Sequence, residues 1–147
     1  YTLVPCVGDP QFKLEDKSRI TIPSAWRRIA ATKEWLLVPD RERHCLLVMT
    51  PPAFAAAVSK AHALTTTSEL EVRKFLRLLH ARTRHGAPDT QGRLVLPPDF
   101  CEEFQLSNEV VLVGNEGRFE VWNVDRWQQT AAADEAIFDH VGNLIGL

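Results

Sequence analysis

The feature that most constrains the fold of this chain is an internal repeat. The stretch SRITIP at residues 18–23 recurs as GRLVLP at residues 92–97, and an acidic residue lies a few positions before each copy. Three matches in register exceed what chance alignment gives, and self-similarity at one spacing indicates one structural unit used twice. The other two aligned pairs, offset by 74 and 73 residues, are 35–39 with 109–113 and 47–54 with 120–127.

Each copy is predicted to contain the same elements in the same order. A short alternating strand ends at a proline; a short helical turn, a hairpin of two apolar strands and a longer helix follow. Ser24, Thr50 and Asn123 are candidate N-caps of these helices, and Pro98 with Asp99 suits a first helical turn. Such short strands cannot bury themselves within one half, so we expect the halves to pair or interleave around one core.

A further helix is predicted between the halves, from Ser68 to Arg84, before the residues HGAPD break it. Its polar faces are rich in arginine. Two interpretations stay open: these arginines line a nucleic-acid-binding face, or they lie at subunit contacts against the acidic second half. The arginines concerned are Arg73, Arg77, Arg82 and Arg84.

Charge is distributed unevenly along the chain. The net charge of −2 is untypical of a general nucleic-acid binder. Residues 1–93, however, carry a net +6 and residues 94–147 a net −8. This asymmetry allows one basic face on a chain that is acidic overall. The alternative is that the acidic part is only a solvated surface.

No pattern of metal ligands, cofactor-binding loops or membrane spans is found in the sequence. The histidines next to or near the cysteines do not complete a zinc pattern, and the cysteines include no CxxC pair. We therefore expect no metal, no cofactor and buried thiols in a reducing cytoplasm. No apolar run approaches the roughly 18 residues of a transmembrane helix, and no signal peptide is predicted. The cysteines are Cys6, Cys45 and Cys101.

The repeated arginine is the candidate functional residue. Glu15 and Asp89 stand four positions before Arg19 and Arg93, where a turn enters a strand. A carboxylate at this spacing can fix the guanidinium, which can then offer its outer edge to a phosphate or to O6 and N7 of guanine. A purely structural ion pair is about equally consistent with the spacing. The duplication favours a periodic partner such as duplex DNA.

Further basic residues surround the first copy of this arginine and add to the candidate DNA-binding set. The second copy carries less positive charge, because Thr90 and Gln91 stand in place of lysines. The candidate DNA-binding residues are Arg19, Arg93, Lys17, Lys13 and Arg27, with Arg28 adding charge beside them.

The two stretches EDKSRITIP and DTQGRLVLP resemble the doubled Asp-x-x-x-Arg motif of the MraZ family. RLLHARTRHGAPDTQGRLVLP, in which Arg77 precedes Asp89 by twelve residues, and VVLVGNEGRFEVWNVDRW extend the resemblance over nearly the whole chain. It implies an α+β fold, mainly β with helices, of two AbrB/SpoVT-like swapped-hairpin β-barrel repeats that form one core. The implied ranges are 7–55 for the first repeat, 56–84 for a helical linker, 85–129 for the second repeat and 130–147 for a C-terminal helix or tail.

The same resemblance implies a function. The implied protein is a bacterial transcriptional regulator that lies on the nucleoid, in the cytoplasm. It would bind short direct repeats of DNA upstream of a division and cell-wall gene cluster, and it would do so as a ring-shaped homo-oligomer. Arg19 and Arg93 would contact DNA, and Glu15 and Asp89 would be their motif partners. No membrane is implied.

Three residues depart from the family motif. Glu15 replaces Asp and is one methylene longer, and Ser18 replaces Gly and adopts a positive φ less readily. Thr90 replaces Lys and removes a charge that suits phosphate. These departures bear on the DNA target and affinity more than on the fold.

Two other functions are alternatives to DNA binding. An enzyme is not expected, because no nucleophile and base have a recognisable spacing and no Gly-rich phosphate loop is present. The alternative is a ring-forming protein-interaction module whose DNA-binding face has decayed. The acidic second part and the altered motif residues favour that alternative, and salt dependence of DNA binding distinguishes the two.

Overall fold

The computed structural model describes residues 11–13, 18–28, 33–42, 44–115 and 117–147, with only the backbone at 11–13. Its strands are β1 (Gln11–Lys13), β2 (Arg19–Thr21), β3 (Trp35–Pro39), β4 (Leu46–Met49), β5 (Arg84–Gly86), β6 (Arg93–Val95), β7 (Glu109–Asn115) and β8 (Arg118–Asn123). Its helices are α1 (Ser24–Arg27), α2 (Pro51–His62), α3 (Glu69–Arg82), α4 (Pro98–Glu103) and α5 (Val124–Leu144).

The strands form two antiparallel sheets in which the halves exchange strands. The larger sheet has the order β1-β7-β8-β4-β3-β5, and the smaller one is a ribbon of β2 and β6. The predicted hairpins are β3–β4 and β7–β8. The first strand of each half pairs with the hairpin of the other half, since β1 pairs with β7 and β5 with β3. The prediction that the halves interleave is therefore confirmed.

The register of the strands reveals a pseudo-twofold axis between the halves. In the ribbon, Ile20 lies opposite Leu94, its own counterpart in the repeat. In the larger sheet, Leu47 likewise lies opposite its counterpart Glu120. One axis therefore relates both pairings, and it brings the two repeated arginines onto one element.

The core joins the ribbon to the larger sheet. Ile20 and Leu94 are buried from the ribbon side, and Trp26, Trp35 and Phe119 are buried beneath them. The Phe119 ring centroid lies 5.1 Å from that of Trp26 and 5.4 Å from that of Trp35. Aromatic pairs at this separation add to the free energy of burial, so the ribbon is fixed on a rigid support.

Two of the three predicted N-cap residues are confirmed. Thr50 accepts from the N–H of Ala53, and Asn123 accepts from that of Arg126. Ser24 is not an N-cap: Pro23 occupies that position and no side chain caps α1. A turn that begins directly after a proline-terminated strand leaves Ser24 inside the helix.

One other local prediction needs correction. Arg84 does not end the linking helix but begins β5, because its backbone pairs with Leu37 of β3. Residues 130–147, expected as a C-terminal helix or tail, belong to α5 as far as Leu144. The segment 85–89, predicted only as a break, thus starts within a strand.

The α+β class is confirmed, although helices contain more of the described residues than strands do. The barrels that the family resemblance implied are not formed by these pairings: β1 and β5 lie at opposite edges of the larger sheet and do not pair within the described ranges. The predicted boundaries at 55 and 129 fall inside α2 and α5, and they stay a prediction. Within the described chain, no helix is both long and apolar enough to span a bilayer.

Candidate functional site

The outer face of the β2–β6 ribbon carries both repeated arginines. Alternation along a strand places Arg19 and Thr21 on one face of β2, and Arg93 and Val95 on one face of β6. The register sets Arg19 opposite Val95 and Thr21 opposite Arg93. The two arginines are therefore diagonal neighbours, about 7–8 Å apart between Cα atoms. The opposite face is the buried one.

Asp89 fixes the turn that leads into β6. Its Oδ1 accepts from the backbone N–H of Gln91 and of Arg93, both at 2.9 Å, and its Oδ2 accepts from Nε of Arg93 at 2.7 Å. These bonds hold the pKa of Asp89 below its ordinary value, the backbone N–H of Arg93 contributing most. The carboxylate thereby orients the guanidinium through Nε, while Nη1 and Nη2 make no hydrogen bond among the described residues.

The two motif turns hold each other in place across the pseudo-twofold axis. The N–H of Ile22 donates to the carbonyl of Gly92, and the N–H of Leu96 donates to that of Ser18, both at 2.9 Å. Both acceptor residues are left-handed, with φ of 78° at Gly92 and 58° at Ser18. Ser18 thus adopts the conformation that the family glycine would supply.

Arg27 packs on the turn of the second copy. A Cβ atom on Gly92 would lie 2.6 Å from Cδ, Nε and Cζ of Arg27, so a larger residue there would displace this guanidinium. The Nε atom is buried and has no hydrogen-bond partner among the residues that the structure describes. A cavity of about 520 Å³ opens beside it, lined by Arg27, Lys33, Trp35, Pro88, Asp89, Thr90 and Gly92.

The predicted site residues have different outcomes in the structure. Arg19, Arg93 and Arg27 are brought to the ribbon and its adjoining turn, and Asp89 makes the predicted pair with Arg93. Glu15 and Lys17 lie outside the described residues, and of Lys13 only the backbone is described. The equivalent pairing in the first copy therefore stays a prediction.

Arg84, one of the linking-helix arginines, is engaged within the chain. Both its terminal nitrogens donate to the carboxylate of Asp99, and its Cζ lies 4.5 Å from the ring centroid of Phe100. This bond lowers the pKa of Asp99, with Arg84 as the leading cause. Arg84 was expected either on a nucleic-acid-binding face or at a subunit contact. It instead joins the start of β5 to α4 within the chain.

Sequence reasoning missed two kinds of group. Thr21 and Val95 share the outer ribbon face with the arginines but were not singled out. Asp40, Glu42 and His44 place one ligand atom each within 4.8 Å of one another on the β3–β4 turn. Two of these three are exposed, and exposed acidic groups commonly lie together without a metal, so the cluster supports no metal site.

Comparisons with known proteins find sequence similarity to one family. A family model described as "MraZ protein, putative antitoxin-like" matches residues 79–145. A protein named Transcriptional regulator MraZ from Saccharopolyspora erythraea is 35% identical over 122 residues, 83% of each chain. Its namesake from Mycobacterium tuberculosis is 35% identical over 136 residues, which are 86% of this chain and 93% of the other. That of Mycolicibacterium smegmatis is 34% identical over 126 residues, 86% of each.

Proposed function

The chain belongs to the MraZ family, and from this premise we propose that it regulates transcription by binding duplex DNA through the outer face of the β2–β6 ribbon. Relatives that are about a third identical over most of their length are named transcriptional regulators. The observation that carries the proposal is the diagonal placement of Arg19 and Arg93 on one outer face.

The shape of the ribbon suits the major groove of DNA. That groove is about 12 Å wide and admits a two-stranded β-ribbon. An arginine in it can donate two hydrogen bonds to O6 and N7 of guanine, the commonest specific contact. Arg93 is already oriented by Asp89, so less side-chain entropy is lost when it binds. Arg19 supplies the pseudo-symmetric contact.

The basic residues beside the ribbon suit phosphate contacts. Arg28 and Lys33 are exposed, and Arg27 lies against the motif turn. Contacts to phosphate set register and orientation and carry no sequence information of their own. We therefore assign base contacts to Arg19 and Arg93, and phosphate contacts to Arg27 and the basic residues near it.

The biological target that we propose is a set of short direct repeats upstream of a division and cell-wall gene cluster, bound on the nucleoid. This finer proposal rests on family membership. Direct repeats match a protein whose DNA-binding units recur at fixed spacing in an assembly, because linked weak contacts gain from a high effective concentration.

We propose that the assembly is a ring of identical subunits built through α5. The second half of α5 presents apolar side chains at helical spacing that are 47–72% exposed, and exposed apolar patches mark protein–protein contacts. They are Ile137, Phe138, Val141, Leu144 and Ile145, the last of which caps the helix.

The surface that suits this stripe is the groove between α2 and α3. It is lined by Ala57, Leu64, Val72 and Phe75, and Leu64 and Phe75 are about half exposed. Charge supports the pairing, because α3 carries Arg73, Lys74 and Arg77 while α5 carries acidic residues. Since stripe and groove are different surfaces, each subunit would bind the next head to tail, which gives a ring when the rotation closes.

The test of DNA binding starts from a randomised duplex pool incubated with the full chain. The bound sequences are recovered, and the affinity of one selected duplex is measured by fluorescence anisotropy over a salt series. We expect one recurring motif and an affinity that falls steeply with salt, because phosphate contacts release counterions. Recovery of no motif, with weak binding to every duplex, would favour the protein-interaction module instead.

The test of assembly is light scattering of Phe138→Glu beside the wild type. We expect the wild type to form a defined oligomer and the variant to dissociate to smaller species. Gln128→Glu adds a similar charge on a face of α5 well away from the stripe, and it should leave the mass unchanged. A monomeric wild type, or an intact Phe138→Glu oligomer, would contradict the proposed interface.

A further inference from the structure

Val95 is an exposed apolar side chain at the centre of the proposed DNA-binding face. Its side chain is 53% exposed, whereas its neighbours Leu94 and Leu96 are buried, each with an exposed fraction of 1% or less. It lies directly opposite Arg19, and its counterpart Thr21 lies directly opposite Arg93. Each arginine therefore has a methyl-bearing side chain as its closest cross-strand neighbour.

The major groove offers one apolar group for such a side chain to recognise. Thymine alone presents a C5-methyl group there, and small methyl-bearing side chains contact it. Guanine presents the acceptors that arginine recognises. A surface that alternates guanidinium and methyl groups is thus complementary to guanine and thymine in neighbouring positions.

We propose that Val95 and Thr21 determine specificity by contacting pyrimidine C5-methyl groups beside the bases that the arginines contact. The inference rests on the proposed DNA-binding function and names the bases that the ribbon recognises. Two residues along a strand span about 6.6–6.8 Å, close to two base-pair steps of about 3.4 Å. With the strands along the groove, the thymine contacted by Val95 lies about two steps from the guanine contacted by Arg93.

The two halves of the ribbon are not equivalent in this contact. Val95 offers two methyl groups and no polar atom, so it gains only from an apolar partner. Thr21 offers only one methyl group, which lies beside a polar hydroxyl group. Loss of the thymine C5-methyl group should therefore weaken binding more at the base that Val95 contacts than at the base that Thr21 contacts.

The experiment is a methyl-deletion scan of the duplex selected from the randomised pool. Each thymine is replaced in turn by uracil, which lacks only the C5-methyl group, and Kd is measured for the wild type and for Val95→Ala. At one position we expect uracil to weaken wild-type binding about fourfold, as expected for one buried methyl group. Val95→Ala should bind both duplexes equally.

Two further variants control for the fold and for nonspecific effects. Val95→Thr keeps one methyl group and makes the two halves alike, so it should retain part of the preference for thymine. Arg41→Ala removes an exposed charge on the β3–β4 turn and should show the full wild-type preference. Thermal unfolding of each variant shows that the chain is folded in every measurement.

The outcomes separate this inference from the function on which it rests. If no duplex is selected, the proposed function fails, and the inference with it. If a duplex is selected and its binding needs the arginines, yet uracil is tolerated at every position, only the methyl contact is wrong. A preference for thymine that persists in Val95→Ala would equally overturn the assignment to Val95.

Discussion

Asp89 and Arg93 are joined by three hydrogen bonds across one tight turn. Asp89 accepts from the backbone N–H and from Nε of Arg93, at 2.9 and 2.7 Å, and its own N–H donates to the Arg93 carbonyl at 3.0 Å. One side chain thus fixes both the entry of β6 and the direction of the guanidinium. An arginine on a free loop would have to be ordered on binding, at a cost in entropy.

The carboxylate of Asp89 makes the stability of the chain depend on acidity. Its pKa is lowered in the folded chain, mainly by the backbone N–H of Arg93. The stabilisation is complete above the ordinary carboxyl pKa of about 4 and is lost as pH falls through the lower folded value. We expect Asp89→Asn to be less stable than wild type in urea at pH 7, and the difference to shrink on acidification towards pH 3. A difference that grows on acidification would contradict the assigned role.

The left-handed backbone at Gly92 is predicted to disfavour any larger residue. It has a φ of 78°, and an alanine Cβ there would lie 2.6 Å from three atoms of the Arg27 side chain. We expect Gly92→Ala to lower the free energy of unfolding by at least about 1–2 kcal/mol, the cost of the left-handed conformation. Gly142 in α5 is the matched control: a Cβ there meets nothing within 4 Å. Gly142→Ala should stabilise the chain by about 0.5–1 kcal/mol. Equal effects in thermal unfolding would contradict this account.

Thr50 is predicted to stabilise the junction between the sheet and α2 through its hydroxyl group. The side chain is buried, accepts from the N–H of Ala53 at 3.2 Å and donates to the carbonyl of Gly117 at 3.3 Å. Thr50→Val keeps the shape and removes both bonds, so it should cost about 1–2 kcal/mol in urea unfolding. Thr50→Ser keeps the hydroxyl group and should cost less. A valine variant more stable than the serine variant would show that packing dominates at this position.

Cys45 is predicted to be inert in the folded chain. Burial raises the pKa of its thiol well above the ordinary value, so almost no thiolate forms at neutral pH. A maleimide reagent followed by peptide mass analysis should label Cys45 only in urea. Rapid labelling of Cys45 without denaturant would contradict this prediction.

Much of the fold could be predicted because the repeat is visible in the sequence. It gave the order of elements, the two hairpins and the caps at Thr50 and Asn123. The repeat did not predict β5, because the residues Arg84, His85 and Gly86 have little strand propensity. They form a strand only because β3 offers them an unpaired edge. The exchange of first strands between the halves likewise depends on tertiary contacts, which the local sequence pattern does not encode.

The candidate site was predicted in its charged part and missed in its apolar part. Arg93 and Asp89 stood out because an acid and a base recur at one spacing. Val95 did not, because Leu94, Val95 and Leu96 form a continuous apolar run in which hydropathy alone does not identify the outer residue. In β2 the alternation of Arg19, Ile20 and Thr21 is clear, but only the register with β6 places the two faces together.

The central claim is that Arg19 and Arg93 make the base contacts of one DNA-binding ribbon. The most direct measurement is the Kd of Arg19→Ala, Arg93→Ala and Arg41→Ala on the selected duplex, by anisotropy at fixed salt. The account predicts that each ribbon variant loses about 1–3 kcal/mol, roughly 5- to 150-fold in Kd, while Arg41→Ala binds as the wild type does. Folded ribbon variants that bind the duplex as tightly as the wild type would contradict it, and the repeated arginines would then be structural.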